Sequence, residues 1–423
     1  MTPAGSPASM ATPTPISQCV GNEGPAMDHR WSLQRTPGEA GRAVVGTASH
    51  NRRSSDTPRR HSALASQETP VFLAGTGRAH PAEIRSAVRA AATAATDFSW
   101  LSRGDPVLIK PVLNSGNRFP YTTSPAALGG MIELLKEKGA GRVIVGDMSG
   151  IEHVRPFGDR PSGSTHHLMH ASGMAAAVLA AGGELYAFED GGWDGFCKEH
   201  PLSGSNWSQG LMMPKILQEV EHIVLMPRCG RHLLTGASLG LKAAVGYWRT
   251  DTRLEYHRDA ATLHEKTAEG NTVPTLLNKQ RLVLTAADKV LTTFGPDDGR
   301  VCQPEIGMVI ASQSVVAHDM ISLAWLLETR QAMPPPPWKL FIDRSRLAAR
   351  IGNRVVVAWL SNLKTALDSE TFTKNALRCI GDDRVLNHAY RVLGGRPKIA
   401  LQVANDLVPR DLHERLSEMS TNP

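Results

Sequence analysis

The chain has 423 residues, of which 41% are hydrophobic and 5% aromatic, and its formal net charge is +6. This length allows two or three domains, or one large domain with appendages, and a sizeable core. No run of about 18 apolar residues occurs, so we expect no membrane-spanning helix and a soluble protein. The charge excess is too small to indicate a nucleic-acid partner.

Cysteine usage excludes further classes of protein. The five cysteines lie far apart without any Cys-x-x-Cys pair, so we expect neither a ferredoxin-type iron–sulfur cluster nor a disulfide framework. Scattered thiols are typical of a reducing compartment, which predicts a cytoplasmic location. One of them, Cys229, stands between Arg228 and Arg231, whose charges could lower its pKa and make it nucleophilic. A plain buried thiol is the alternative.

In chain order, the first segment is rich in Pro, Ser, Thr, Ala and Gly and shows no apolar periodicity. Residues 1–68 hold seven arginines and no lysine, against five carboxylates. This composition cannot bury enough apolar surface to offset the conformational entropy of the chain. We therefore predict a disordered basic tail over residues 1–68.

Short apolar segments then alternate with helical patterns over residues 69–332. The segments predicted as strands are Val71–Gly75, Pro106–Lys110, Arg142–Gly146, Glu184–Phe188, His222–Met226, Arg281–Thr285 and Gly307–Ala311. The segments predicted as helices are Pro81–Phe98, Pro125–Lys138, Gly163–Ala181, Ile216–Val220 and Val315–Thr329. This alternation is typical of parallel strands joined by crossover helices. It predicts an α/β core with a mostly parallel sheet and flanking helices.

A run of four prolines, Pro334–Pro337, follows this core. We predict a Pro-rich linker and a helical C-terminal region over residues 333–423. Apolar periodicity within it predicts helices at Ser369–Cys379, Leu386–Val392 and Leu412–Met419.

Polar residues follow three of the predicted strands, and ligands of open α/β sheets bind beyond the carboxyl ends of the strands. The first such loop begins after Lys110 and contains Asn114 and Ser115. Their amide and hydroxyl groups, with the glycine that follows, are suited to binding an anion. The alternative is an ordinary polar turn without a ligand.

The second loop follows the strand that ends at Gly146. It carries Asp147 and His153, and an imidazole with a pKa near neutrality is suited to general acid–base catalysis. A structural histidine bonded to backbone is the alternative for His153.

The third loop follows Met226 and leads through His232 to Gly236, Gly240 and Lys242. Its composition suits an anion, but its spacing is not that of a P-loop. Apolar residues flank Lys242, so we expect burial to lower its pKa toward neutrality and to make the amine nucleophilic. A lysine whose stem lies on the surface with its charge in water is the alternative.

Several of these segments resemble a known family. They are Val107–Asn114, Gly146–Gly150, His232–Gly246, Gly295–Gly299 and Val316–Asp319. Over about residues 70–330 the chain resembles the Domain of Unknown Function 362 family. The resemblance implies membership of a family without a settled activity, many of whose members carry added iron–sulfur ferredoxin motifs. This chain departs from those members because it lacks the cysteines.

The chain is also similar to the nickel-pincer lactate racemases in the spacing of its basic residues. Lys242 follows His232 by ten positions, His257 follows Lys242 by fifteen, and His153 shortly precedes an Arg-Pro pair. In that family the lysine anchors a pyridinium cofactor, the last histidine binds nickel, and the other two histidines shuttle a proton. The resemblance implies a covalently held organic cofactor at Lys242, a nickel-type divalent metal at His257, and acid–base roles for His153 and His232.

Together these patterns indicate an enzyme that acts on a small anionic substrate in a cleft formed by the three loops. We expect Asp147, His153 and His232 to be catalytic. We expect Lys242, Lys110, Asn114, Ser115, Gly236 and Gly240 to bind a cofactor. The reaction would resemble that of a racemase or an oxidoreductase. The alternatives are a non-catalytic redox or cofactor-handling accessory protein and a basic-tailed binding protein.

Overall fold

The computed structural model describes residues 68–77, 80–158, 160–232, 234–258, 260–293, 295–297, 299–332 and 377–421. The predicted tail before Glu68 and the predicted linker lie outside these residues. So does most of the helix predicted at Ser369–Cys379, and its last three residues are not helical.

The described residues form sixteen strands. They are β1 (Thr69–Gly75), β2 (Pro106–Lys110), β3 (Arg142–Asp147), β4 (Arg155–Phe157), β5 (Arg160–Ser162), β6 (Glu184–Ala187), β7 (Phe196–Glu199), β8 (Leu211–Pro214), β9 (His222–Leu225), β10 (Gly230–His232), β11 (Gly236–Ser238), β12 (Gln280–Ala286), β13 (Val290–Leu291), β14 (Val301–Cys302), β15 (Met308–Ser312) and β16 (Ile399–Val403).

The same residues form twelve α-helices and several short 3-10 turns. The α-helices are α1 (Pro81–Ala95), α2 (Pro125–Glu137), α3 (Thr165–Ser172), α4 (Met174–Ala180), α5 (Ile216–Glu219), α6 (Gly240–Ala243), α7 (Thr250–Arg258), α8 (Leu263–Glu269), α9 (Pro274–Lys279), α10 (Val315–Gln331), α11 (Arg384–Val392) and α12 (Arg410–Thr421). None of these helices is long and apolar enough to cross a membrane.

An eight-stranded sheet organises the molecule, with the strand order β16-β1-β15-β12-β9-β2-β3-β6. Every neighbouring pair is parallel except the two that β15 makes with β1 and β12. The predicted α/β fold with a mostly parallel sheet is therefore confirmed. Because β9, β2 and β3 are parallel neighbours, their carboxyl ends meet at one edge of the sheet.

Helices cover both faces of this sheet. On one face α1 and α2 bury an apolar stripe that includes Val88, Leu128 and Met131 against the strands. On the other face α10 is buried along most of its length, together with side chains of α11 and α12 such as Leu386 and Leu416. Burial on both faces explains why the central strands are apolar without alternation.

Two further elements differ from the sequence predictions. The helix predicted at Gly163–Ala181 is broken into α3 and α4 at Gly173, whose φ of +85° ends α3 in the left-handed conformation that glycine favours. The C-terminal region, predicted as helical, also contributes the strand β16. This strand pairs in parallel with β1 at the edge of the main sheet, a long-range pairing that local periodicity does not indicate.

Candidate functional site

A cleft opens at the carboxyl ends of β2, β3 and β9. Its volume is about 140 Å³, below the roughly 300–1,000 Å³ of pockets for drug-sized ligands, so it suits a small molecule. Seven of the ten residues expected at the site line this cleft: Lys110, Asn114, Asp147, His153, His232, Lys242 and His257.

Lys110 and Asp147 form a buried ion pair in the cleft. They end the neighbouring parallel strands β2 and β3, and Lys110 Nζ lies 2.7 Å from Asp147 Oδ1. Lys110 Nζ also donates to the carbonyl of Pro111, and Asp147 accepts from the backbone N–H groups of Leu113 and Met148. Burial lowers the pKa of Lys110 and raises that of Asp147, while the attraction within the pair opposes both shifts. The two charges therefore satisfy each other.

Lys242 differs from Lys110 because no described residue accepts a hydrogen bond from its amine. The amine lies 5.9 Å from the centroid of the Tyr256 ring. Its pKa is lowered to about 7 by burial and by the nearby positive charges of Arg253 and Arg228. At neutral pH the Lys242 amine is thus present in both its charged and its neutral form.

His232 presents an N–H group to the cleft. Its Nδ1 accepts hydrogen bonds from the backbone N–H groups of Leu234 and Thr235, at 3.1 and 3.3 Å. Nδ1 is therefore unprotonated, and the proton of the neutral ring lies on Nε2. Burial, followed by the charge of Lys242, holds the pKa of His232 well below its ordinary value. His232 is therefore a neutral hydrogen-bond donor.

His257 presents a hydrogen-bond acceptor, whereas His232 presents a donor. Its Nδ1 lies 2.6 Å from the carbonyl oxygen of Arg253, one turn earlier in α7, and must donate to it. The Nε2 atom then carries a lone pair. Burial, with the charge of Lys242, lowers the pKa of His257 to about 3. His257 is therefore a neutral acceptor that can serve as a metal ligand.

Arg253 links three segments of the cleft. Its guanidinium donates to the carbonyls of Met148 and Ser149 after β3, and to those of Gly246 and Trp248 after α6. Burial lowers its pKa to about 10, so it stays charged at neutral pH. With these bonds Arg253 sets the distance between the β3 loop, the segment after Lys242 and helix α7.

Pro296 and Asp297 form another part of the cleft lining and are held by three polar side chains. Ser115 Oγ donates to Asp297 Oδ1 at 2.6 Å, and Asn117 Nδ2 donates to the Asp297 carbonyl. Arg228 Nη1 donates to the carbonyl of Pro296 at 2.9 Å. Ser115 therefore shapes the cleft through Asp297 and does not line it.

Gly236 and Gly240, which were expected among the cofactor-binding residues, do not line the cleft. The backbone N–H groups of Gly240 and Leu241 donate to the two carboxylate oxygens of Asp319, at 2.8 and 2.7 Å. Gly236 lies in the β10–β11 hairpin with a φ of +87°. The backbone N–H groups at the start of α6 therefore bind the carboxylate of Asp319 and are not open to a ligand.

The lowered pKa considered for Cys229 is wrong. The thiol is fully buried and donates to the carbonyl of Ser322 at 3.3 Å. Burial raises its pKa, and the charge of Arg228 only partly opposes this effect. Cys229 is a buried structural thiol, as the alternative interpretation held.

Sequence reasoning did not name Arg253, and it did not place Ser238 or Gly246 among the site residues, although both lie in the family-like segment His232–Gly246. Arg253 lies four residues before His257, and that helical spacing was the available signal for it. Gly246 lies directly against the Lys110–Asp147 pair, a contact across more than 90 residues of sequence that no local pattern indicates.

The donor set of the cleft fits only in part the groups that the racemase resemblance implies. The Lys242 amine is without a hydrogen-bond acceptor in the described part of the chain, and His257 Nε2 carries a lone pair. Among the described residues, no three His, Cys, Asp or Glu side chains cluster as a metal site would require. His257 would supply one protein ligand to a metal, and the Lys242 amine would be open either to an organic cofactor or to a substrate anion, not to both at once.

A sequence model of the family described as Domain of unknown function (DUF362) matches residues 107–324. The chain belongs to this family. No curated protein matches its sequence.

Two solved structures are similar. The lactate racemase apoprotein from Thermoanaerobacterium thermosaccharolyticum shares 13% identity over 52% of this chain and 50% of its own, with a TM-score of 0.35. A protein from Thermotoga maritima shares 12% identity over 51% of this chain and 52% of its own, with a TM-score of 0.32. This chain thus spans about half the length of each.

Proposed function

We propose that the chain is an enzyme that binds a small anionic substrate and moves a proton at a carbon next to its carboxylate. The observation that carries this proposal is the unequal pairing of the cations near the cleft. Lys110 is paired with Asp147 and Arg253 is bonded to four carbonyls, whereas Lys242 has no acceptor among the described residues. A bound anion would supply that acceptor.

Lys242 and His232 would bind the negative charge of the substrate. An anion beside Lys242 raises the pKa of its amine above about 7, so the bound state favours the ammonium form. His232 donates from Nε2. Adding a proton to its Nδ1 would break the bonds from Leu234 and Thr235, so we assign it hydrogen-bond donation instead of the expected proton shuttle.

His153 is the side chain that we propose for proton transfer. It lines the cleft and is exposed, so it can exchange protons with water between turnovers. The proton that leaves the substrate carbon would pass to a ring nitrogen of His153, and the electron pair would move toward the carboxylate held by Lys242 and His232. Asp147 would hold Lys110 in place, together with the loop segments that contain Leu113 and Met148.

His257 would be the protein ligand to a metal, with its tautomer set by the Arg253 carbonyl. A metal bound there would supply Lewis-acid polarisation of a substrate oxygen.

Deuterium exchange tests the proposed function. The purified protein, with any metal it carries, is incubated in D₂O with 2-hydroxy and 2-amino carboxylates of two to five carbons, and the loss of the Cα–H signal is followed by NMR. We expect exchange for at least one acid and a rate reduced about 100-fold or more in Lys242→Met and His153→Gln, because each removes a group that acts in the transition state.

The matched control is His170→Gln, which changes an exposed histidine of α3 away from the cleft and should leave the rate unchanged. Exchange that persists in Lys242→Met would contradict the proposal. Tight retention of an anion without exchange would favour the non-catalytic accessory protein.

A further inference from the structure

Ser238 has a hydroxyl proton that no described residue accepts. It lies in β11, is 3% exposed and lines the cleft. Its Oγ accepts a hydrogen bond from Arg228 Nε at 3.3 Å. Because a serine hydroxyl is both acceptor and donor, this contact leaves its O–H free to donate to a ligand.

Arg228 places a positive charge directly behind Ser238. Its side chain is fully buried, and its Nη2 has no hydrogen-bond partner among the described residues. A buried guanidinium with an unmatched donor is unusual in a folded protein and calls for an explanation. Burial lowers the pKa of Arg228 to about 10, opposed by the charge of Asp297, so the positive charge remains at neutral pH.

Ser238, His232 and Lys242 come from one continuous segment of the chain, the β10–β11 hairpin and α6, and all three line the cleft. Each has a donor that is unmatched within the described residues. Apolar groups, among them Val112 and Val245, also line the cleft. A ligand with a charged end and a short carbon chain would match both kinds of lining.

We propose that Ser238, backed by the buried charge of Arg228, forms with His232 and Lys242 a binding subsite for the carboxylate group of the substrate. This inference rests on the proposed function and narrows its substrate to a small monocarboxylate. The two oxygens of a carboxylate offer about four acceptor positions, enough for the three donors. Phosphate would also satisfy the donors but leaves the apolar lining without a contact.

Titration with propionate and with its neutral counterpart propionamide, followed by NMR, tests the subsite. We expect the wild-type protein to bind propionate and to bind propionamide at least 10-fold more weakly. Ser238→Ala should raise the Kd for propionate about 10-fold, since a hydrogen bond to a charged group contributes about that factor. The same variant should leave the weak binding of propionamide nearly unchanged.

Ser208→Ala is the matched control, because Ser208 is an exposed serine outside the cleft. Ser238→Cys retains the size of the side chain with a weaker donor and should fall between the wild type and Ser238→Ala. Circular dichroism of each variant checks the fold. Inorganic phosphate, titrated in parallel, should bind more weakly than propionate.

Equal propionate affinity in the wild type and Ser238→Ala would overturn the subsite, as would stronger binding of phosphate or no saturable binding of propionate. The proposed function is judged separately by deuterium exchange. Exchange that requires Lys242 but not Ser238 would leave the proposed function in place and reject the subsite.

Discussion

Gly246 lies directly against the buried pair of Lys110 and Asp147. A methyl group at this position would overlap both the lysine amine and the aspartate carboxylate. The φ of Gly246 is not in the positive range, so alanine introduces no backbone strain there. Its effect is therefore confined to the ion pair.

We expect Gly246→Ala to lower the free energy of unfolding by about 3 kcal/mol, because separating a buried ion pair leaves two uncompensated charges. Urea unfolding measures this change. Gly191→Ala is the control, since a methyl group at Gly191 meets nothing within 4 Å. Equal unfolding midpoints for the two variants would contradict the contact.

At the scale of an element, α11 begins at a carboxylate that is buried. Asp383 is the N-cap of α11 and accepts a hydrogen bond from the N–H of Leu386 at 2.8 Å. Burial raises its pKa to about 7, and the charge of Asp319 adds to this effect while Arg231 opposes it. The carboxylate form, which usually suits a helix N-terminus, is here disfavoured by desolvation.

Asp383→Asn should therefore change stability with pH. In the unfolded chain this carboxyl titrates near pH 3.9, so the protonated form stabilises the folded wild type at low pH. That stabilisation is lost as the pH rises through about 7. Asparagine keeps the cap oxygen without the titration. We expect the melting temperature of the variant, relative to wild type, to increase from pH 5 to pH 8.

Asp411→Asn provides a control whose effect on stability should not change between pH 5 and pH 8. Hydrogen bonding to Arg415 lowers the pKa of this exposed carboxyl, so it is ionised in the folded and the unfolded chain throughout this range and the difference from wild type should be constant. A difference for Asp383→Asn that is constant from pH 5 to pH 8 would contradict its raised pKa.

At the scale of the whole molecule, the described fold extends beyond the segment matched by the family. The match ends at residue 324, but β16 pairs with β1 and α12 packs on α10. Apolar side chains of the C-terminal helices, such as Leu386, Leu412 and Leu416, are buried in the cluster that covers one face of the sheet. A chain that consisted only of the segment matched by the family would expose that face of the main sheet.

We expect a chain that ends at Ala332 to lose cooperative thermal unfolding, because several buried side chains, each contributing about 2–5 kcal/mol, lose their contacts. Differential scanning calorimetry checks this. A chain that begins at Glu68 is the counterpart and tests the predicted disordered tail. Because the composition of that tail cannot support a packed core, we expect the melting temperature to stay unchanged when it is removed. A cooperative transition at the wild-type temperature after removal of residues 333–423 would show that the C-terminal elements are dispensable.

The sequence alone determined the α/β class and the positions of the main strands. The strands around the cleft, such as Pro106–Lys110, are short and apolar between turn residues, so local composition specifies them. It also determined the edge of the sheet at which the cleft opens, since polar residues follow β2, β3 and β9 and parallel strands share a carboxyl edge. That rule is why seven of the ten expected site residues line one cleft.

Only the tertiary structure decided whether each of these residues presents a hydrogen-bond donor or an acceptor to the cleft. His232 and His257 are the same residue type, yet backbone contacts make one a donor and the other an acceptor. The segment before Lys242 has the composition of an anion site, but Asp319 from a distant helix accepts the hydrogen bonds of the N–H groups of Gly240 and Leu241. Hydrogen bonds and charges between segments far apart in the chain set these properties, and local sequence patterns do not contain them.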